Sequence, residues 1–434
     1  MSARRRFGML ALALLPFVLA VVAIGGVLFL RQGGFAPYRV PHDGSRVVAG
    51  GAAMIARGET LAHIGNCAAC HTTRGGVPFA GGRAFTTGYG TIYSTNLTPD
   101  AQHGLGDWSV EEFAHTMRNG VGRHGVLYPV FPYAHFALLS DADLDALYAY
   151  LRSVPASAIA RPPNRLTFPA SWRPALIAWR MLYYRPAATP SPASTPLDRG
   201  RYLVDGLGHC AMCHSTRGKR GSLPPQGYLA GGIIPGIGWY APPLDSRQLQ
   251  RYTVEQLADY LRSGTSAAGT AYGPMAEVVY SSLRGISDED ASAIATYLKQ
   301  VPAHPLRAPS VMAPNTQPAQ DSSTSINGAD VYKDSCADCH GADGEGKDGK
   351  YPPLRDAVAV TAPDPINAVR MILYGGMPPT TAGNPRPHTM PPYVQQLTSA
   401  EIAAVVNYLR QTWGARDSQL TGVDIEAMHG IVID

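Results

Sequence analysis

Three stretches of the chain repeat one order of polar and apolar positions, at residues 140–151, 287–298 and 398–409. Each opens on a serine or threonine, carries an acidic residue three places on, and reaches a Tyr-Leu pair ten places after the start. Within the first, Leu144, Leu147, Tyr148 and Leu151 recur at steps of three and four, the period of one helix face. Ser140/Asp143, Ser287/Asp290 and Thr398/Glu401 stand at N-cap and N3 spacing, so each stretch is predicted to start as a capped helix. Two similar helices are expected over 110–118 and 254–262, each opening Val-Glu. The chain is therefore expected to be mainly α.

A different pattern opens the sequence. Residues 7–30 form 24 consecutive positions without a charge, behind Arg4, Arg5 and Arg6. That length suits a membrane-spanning helix of about 20 residues better than a signal-peptide core of 7–15, so residues 1–31 are expected to be an N-terminal transmembrane anchor. Cleavage of the segment is the alternative. The arginines before it favour a cytoplasmic N-terminus, with everything after Arg31 on the far side of the inner membrane, facing the periplasm. Residues 186–196 and 302–325 are rich in Pro, Ser, Thr and Ala and are expected to be spacers. Residues 172–184, apolar and aromatic with Arg173, Arg180 and Arg185, fit a packing helix, with a membrane-interface helix as the other reading.

Composition narrows the class. At 434 residues the chain is long enough for about three domains. Formal charge is only +4, with no basic run longer than Arg4-Arg5-Arg6, which argues against a nucleic-acid partner. The six cysteines fall in three pairs, and a histidine follows each pair at once: Cys67-Ala-Ala-Cys-His71, Cys210-Ala-Met-Cys-His214 and Cys336-Ala-Asp-Cys-His340. The thiols of Cys67/Cys70, Cys210/Cys213 and Cys336/Cys339 can reach the vinyl groups on one edge of a haem, and the next residue brings an imidazole under the iron. A lone Cys-x-x-Cys also suits a redox dithiol or half a zinc site. The adjacent histidine, three times over, points instead to three covalently bound haem c groups with His71, His214 and His340 as proximal ligands.

The distal ligands are expected before each closing helix. Met275 stands 61 residues after His214, in Gly-Pro-Met-Ala, and Met390 stands 50 residues after His340, in Thr-Met-Pro-Pro. Met377 is the rival in the third repeat. A thioether on iron suits electron transfer, since it stabilises the ferrous state and raises the potential. The first repeat departs from the pattern, because Phe131 occupies the matching place. His135, one turn on, is the proposed sixth ligand there. A surface histidine beside a five-coordinate haem, or ligation by His124, stays open.

With these motifs in place, the chain resembles the tri-haem cytochrome c subunits of bacterial membrane-bound dehydrogenases. The resemblance covers about residues 46–415 and includes Tyr93-Ser-Thr-Asn-Leu-Thr-Pro-Asp100, Gly104-Leu-Gly-Asp-Trp-Ser109, Trp239-Tyr-Ala-Pro-Pro-Leu244 and Tyr408-Leu-Arg-Gln-Thr-Trp-Gly414. It implies three tandem class I cytochrome c-like domains at 46–155, 196–302 and 326–415. A linker at 156–195, a second at 303–325 and a tail at 416–434 complete the division. The family implies electrons arriving from a catalytic dehydrogenase subunit and leaving to ubiquinone or a terminal oxidase. Phe131-Pro-Tyr-Ala-His-Phe136 is similar to cytochromes paired with molybdopterin aldehyde dehydrogenases, which work with a small iron–sulfur subunit. The alternative is a quinoprotein or flavoprotein alcohol or sugar dehydrogenase.

No dinucleotide fingerprint, nucleophile elbow or spare cysteine is present, so no catalytic residue is assigned. Two other readings remain: a haem enzyme with an open iron in the first domain, and quinone reduction by this chain itself.

Overall fold

A computed structural model of the chain describes residues 50–185, 194–305 and 326–429, apart from 219, 268, 348, 415 and 416. It also describes residues 16, 19, 20, 22–27, 29, 30 and 48. The expected spacer at 303–325 lies almost wholly outside the described residues, as does the core of the one at 186–196. The chain divides into two compact units: Met1–Glu59 with Cys70–Ser191, and Thr60–Ala69 with Pro192–Asp434.

The first unit takes up α1 (Ala52–Ile64) as far as Glu59 and α2 (Cys67–His71) from Cys70. It continues with α3 (Val110–Asn119), α4 (Tyr133–Phe136), α5 (Asp141–Ser153) and α6 (Arg173–Tyr183). Its antiparallel sheet pairs β1 (Ala84–Thr87) with β2 (Gly90–Tyr93), and β2 with Arg165–Leu166. The second unit contains α7 (Pro196–Arg201), α8 (Ala211–His214), α9 (Val254–Ser263), α10 (Gly273–Ser281) and α11 (Asp288–Leu298). A third haem motif follows with α12 (Gly328–Ser335), α13 (Ala337–His340), α14 (Val358–Thr361), α15 (Ile366–Tyr374), α16 (Ser399–Thr412) and α17 (Gly422–His429).

The expected caps form. Ser140, Ser287 and Thr398 each accept a hydrogen bond from the backbone N–H three residues on. In α5 and α11 the N3 carboxylate also reaches back to the start of its repeat: Arg57 donates to Asp143 (2.7 Å), and Arg199 to Asp290 (2.8 Å). The third repeat has Asn327 before its glycine instead of Arg. There Glu401 turns back and accepts from the Thr398 backbone N–H (2.8 Å), completing a capping box. The first and last helices of each repeat cross at a glycine. A Cβ on Gly58, Gly200 or Gly328 would run into the Ala146, Ala293 or Ala404 carbonyl, with Tyr150, Tyr297 or Tyr408 Cβ 2.7–2.8 Å away. Only glycine lets these backbones approach so closely.

Two sequence expectations change. Among the described residues no helix is long and apolar enough to cross a membrane, which goes against the expected N-terminal transmembrane helix; most of residues 1–31 lie outside the described residues. Freedom from charge, the basis of the expectation, does not by itself report what a segment packs against. Phe29 of this segment packs against the cluster of Val121, Val126, Leu176 and Ile177 within its own unit. Nor are residues 422–429 simply a tail. They form α17, whose Ile425 and Met428 are buried in the core with Ile402 and Val406.

Helix α6 packs along one side only. Leu176, Ile177 and Arg180 are buried, while Trp172, Leu182 and Tyr183 are exposed.

Candidate haem sites

Each Cys-x-x-Cys-His motif forms or opens a short helix: α2, α8 with Cys210 at its N-cap, and α13 with Cys336 at its N-cap. One helical turn places thiols three positions apart on the same face. The histidines then share one arrangement. His71 Nδ1 lies 2.7 Å from Thr95 O, His214 Nδ1 2.7 Å from Pro242 O, and His340 Nδ1 2.9 Å from Pro352 O. A carbonyl only accepts, so Nδ1 carries the proton and the Nε2 lone pair is left for a metal. Burial pulls all three imidazoles below their ordinary pKa, against an upward pull from the carbonyl bond. They are neutral at pH 7, the form in which histidine binds iron. Burial pushes the Cys210 thiol up to about 12 and the Cys336 thiol up to about 11. Thiols held neutral in this way are poor zinc ligands or exchange nucleophiles.

In the second unit the sites at Cys210 and Cys336 open into one cavity of about 1320 Å³. This exceeds the ~300–1,000 Å³ usual for one small ligand. His214, Met275, His340 and Met390 all line it. Met275 sits in the first turn of α10, after Pro274. Met390 is held by paired backbone hydrogen bonds with Gly376, Met390 N–H to Gly376 O at 2.9 Å and Gly376 N–H to Met390 O at 3.0 Å. Met377, the rival, is 63% exposed and lies outside the cavity lining. Walls of Trp239, Leu257, Tyr260, Leu261, Met371 and Ile372 keep the space apolar. The residues present therefore fit haem: paired thiols, neutral imidazoles, thioethers and an apolar slot. Nothing local in the sequence marks Met371, which occupies a regular apolar position of α15.

The same unit contains Thr60–Ala69, and so Cys67. Here His209, the residue before Cys210, donates from Nε2 to Gly65 O at 3.2 Å. The side-chain hydroxyl of Ser282 donates to Ile64 O at 3.3 Å.

In the first unit His71 keeps its Thr95 carbonyl partner. His135 is 8% exposed in α4, beside buried Tyr133 and Phe136, and the Phe131 ring lies edge-on to Phe136 at 5.3 Å. His124 is exposed in the turn between two short strands, Val121–Gly122 and Gly125–Val126. Met117 is buried in α3.

Comparison with known proteins agrees with this chemistry. The cytochrome c family model matches residues 55–155, 197–302 and 325–413. The chain is 39% identical to the gluconate 2-dehydrogenase cytochrome c subunit of Pantoea cypripedii, over 87% of this chain and 89% of that one. It is 37% identical to the cytochrome c subunit of the quinone-type alcohol dehydrogenase of Gluconobacter oxydans, over 83% and 79%. It is 39% identical to a nicotinate dehydrogenase subunit of Pseudomonas putida, over 84% of this chain but 31% of that longer protein. Three motifs with one proximal geometry and three matched segments lead to a single assignment: the chain belongs to the cytochrome c family and carries covalent haem c.

Proposed function

We propose that this chain is the electron-transfer subunit of a dehydrogenase complex, taking electrons from a catalytic partner and passing them to ubiquinone or a terminal oxidase. The observation that carries the reading is the shared, mainly apolar cavity, which His214, Met275, His340 and Met390 all line. Haem c supplies a one-electron iron couple at each site. The protein's part is to orient His214 and His340 through their carbonyl bonds, to present Met275 and Met390, and to exclude water. A low-dielectric wall and thioether ligation both favour the reduced state. In the first repeat we assign His135 as sixth ligand, supported by its burial and by Phe131 in the methionine place.

The loop Phe131-Pro-Tyr-Ala-His-Phe136 supports a molybdopterin-type aldehyde dehydrogenase partner with a small iron–sulfur subunit. The gluconate and alcohol relatives support the second reading, a flavoprotein or quinoprotein partner. We place the haem domains on the periplasmic side of the inner membrane. The positive N-terminal run before an apolar segment supports export, and exposed Phe168, Trp172 and Leu182 suit a membrane interface.

The test is to purify the full chain with its native partners and follow all three haems on adding substrate. Molybdenum and iron–sulfur centres in the complex, with reduction of every haem by an aldehyde, are expected. Flavin or quinone cofactor with reduction by a sugar acid or alcohol would favour the second reading. Haems that stay ferric with every dehydrogenase substrate would defeat both. In the same preparation, H135A should turn one haem high-spin and able to bind carbon monoxide. An unchanged low-spin spectrum would remove His135 from the iron.

A further inference from the structure

Two attachment loops of the second unit meet each other, and both read Gly-x-Cys: Gly65-Asn66-Cys67 and Gly208-His209-Cys210. In each, the residue before the cysteine takes a positive φ, 50° at Asn66 and 37° at His209. That region is uncommon for any residue with a side chain, although asparagine and histidine enter it more readily than most. Strain of this kind persists only where its surroundings hold it, and it gathers at functional sites. Ser335, in the matching place of the third repeat, stays within α12.

His209 Nε2 lies 3.2 Å from Gly65 O. Burial pulls its imidazole below the ordinary pKa, against the bond to that carbonyl, so the ring is neutral at pH 7. A carbonyl only accepts, so Nε2 carries the proton and donates. A Cβ on Gly65 would stand 3.0 Å from Leu207 Cδ1 and 3.4 Å from Cys67 Sγ, and one on Gly208 would stand 3.6 Å from Cys210 Sγ. The thiols that open the first and second motifs therefore flank one hydrogen bond. Asn66, Gly208, His209 and Cys210 all line the haem cavity. The same segment meets the end of α10, the helix that presents Met275: Ser281 Oγ lies 3.0 Å from Asn66 Oδ1, and the Ser282 hydroxyl donates to Ile64 O. The third repeat meets the second at another place. Asn367 of α15 accepts from the Tyr240 N–H (2.9 Å) and donates to the Tyr240 carbonyl (2.7 Å), and Arg370 donates to Ile237 O (2.6 Å).

We propose that His209 is the positioning residue for electron exchange between the haem of the first motif and the haem attached at Cys210 and Cys213. From Cys67 the chain runs two residues back to the Gly65 carbonyl, and from the His209 ring it runs one residue on to Cys210. Every link of that route is covalent except the Nε2–H···O bond. A hydrogen bond holds nitrogen and oxygen closer than van der Waals contact does, and electronic coupling falls steeply with the width of each gap crossed. The exchange moves one electron and no proton: one haem is oxidised as the other is reduced, and His209 keeps its Nε2–H throughout. The inference rests on the cytochrome c reading of both motifs.

The experiment uses the purified, haem-loaded full chain. A pulse of photoreduced flavin delivers an electron, and its redistribution between the first and second haems is followed by time-resolved absorbance. Wild type is compared with H209N, H209Q and S282A. Asparagine suits the positive φ, as Asn66 shows, but is too short to span to Gly65. H209N should slow the redistribution severalfold while the midpoints and low-spin spectra of both haems stay unchanged. H209Q returns a donor with the reach of Nε2 and should recover most of the rate. S282A removes a second hydrogen bond to the same segment and should leave the rate as it is. An unaltered rate in H209N, no recovery in H209Q, or a fall that shifted midpoints account for would overturn the proposal. An equal fall in S282A would overturn it too, by showing a clamp and not a route. Absence of covalent haem at either motif in the wild type would instead overturn the reading on which the proposal rests.

Discussion

His115, half-buried on α3, shows how one residue's surroundings make a protein acid-sensitive. Burial first, and the Arg180 charge second, bring its pKa down to about 4 from 6.5. Arg180 is itself buried, donating to Asn119 O at 2.8 Å between the rings of Tyr133 and Tyr184. Between pH 6.5 and about 4 the unfolded chain binds a proton at His115 that the folded chain does not. Stability is therefore lost as pH falls through 6.5 and levels off below about 4. H115Q should flatten that part of the slope, as read from urea midpoints at pH 7 and 4.5. Equal losses in both proteins would mean that other groups set it. At this scale the proximal sites were legible in the sequence, because Cys-x-x-Cys-His is local and carries its own geometry. Asn367 and Arg370 were not, because their partners Tyr240 and Ile237 lie 127 and 133 residues back. Two polar residues three apart on an otherwise apolar helix were the only local signal.

Helix crossings explain why the repeats tolerate divergence elsewhere yet keep a glycine at one place. Gly200 lets α7 meet α11, and Arg199 beside it meets the N3 carboxylate Asp290 across the same junction. An added methyl at Gly200 has only backbone and the Tyr297 Cβ to displace. G200A should therefore lower the unfolding free energy by about 1–3 kcal/mol, as overpacking in a closed core does. G88A, where nothing lies within 4 Å, should change it by less than about 0.5 kcal/mol. Chemical denaturation of the haem-loaded chain tests both, and equal effects would show that the crossing is not tight. The capped closing helices were readable from Ser140, Ser287 and Thr398, since caps act within one turn. The expected membrane helix failed because it rested on composition over 7–30, and composition does not report what a segment packs against. Phe29, folded onto Leu176 and Ile177, is the counterexample.

Across the second unit, two haem sites in one cavity of about 1320 Å³ cannot be electrically independent. Low dielectric lengthens the reach of each charge, so an electron on one iron disfavours an electron on the other. The second and third haems should titrate as an interacting pair with macroscopic midpoints. Potentiometry that fits independent one-electron curves at every wavelength would contradict this. The clamp of Asn367 on Tyr240 also has a bearing on maturation. A polypeptide delivered N-terminus first exposes Cys210 and Cys213 well before residues 366–376 exist to wall their cavity. The second attachment site is thus open to modification while its lid is still unmade. Synthesis order alone leaves an interval in which loading can precede closure.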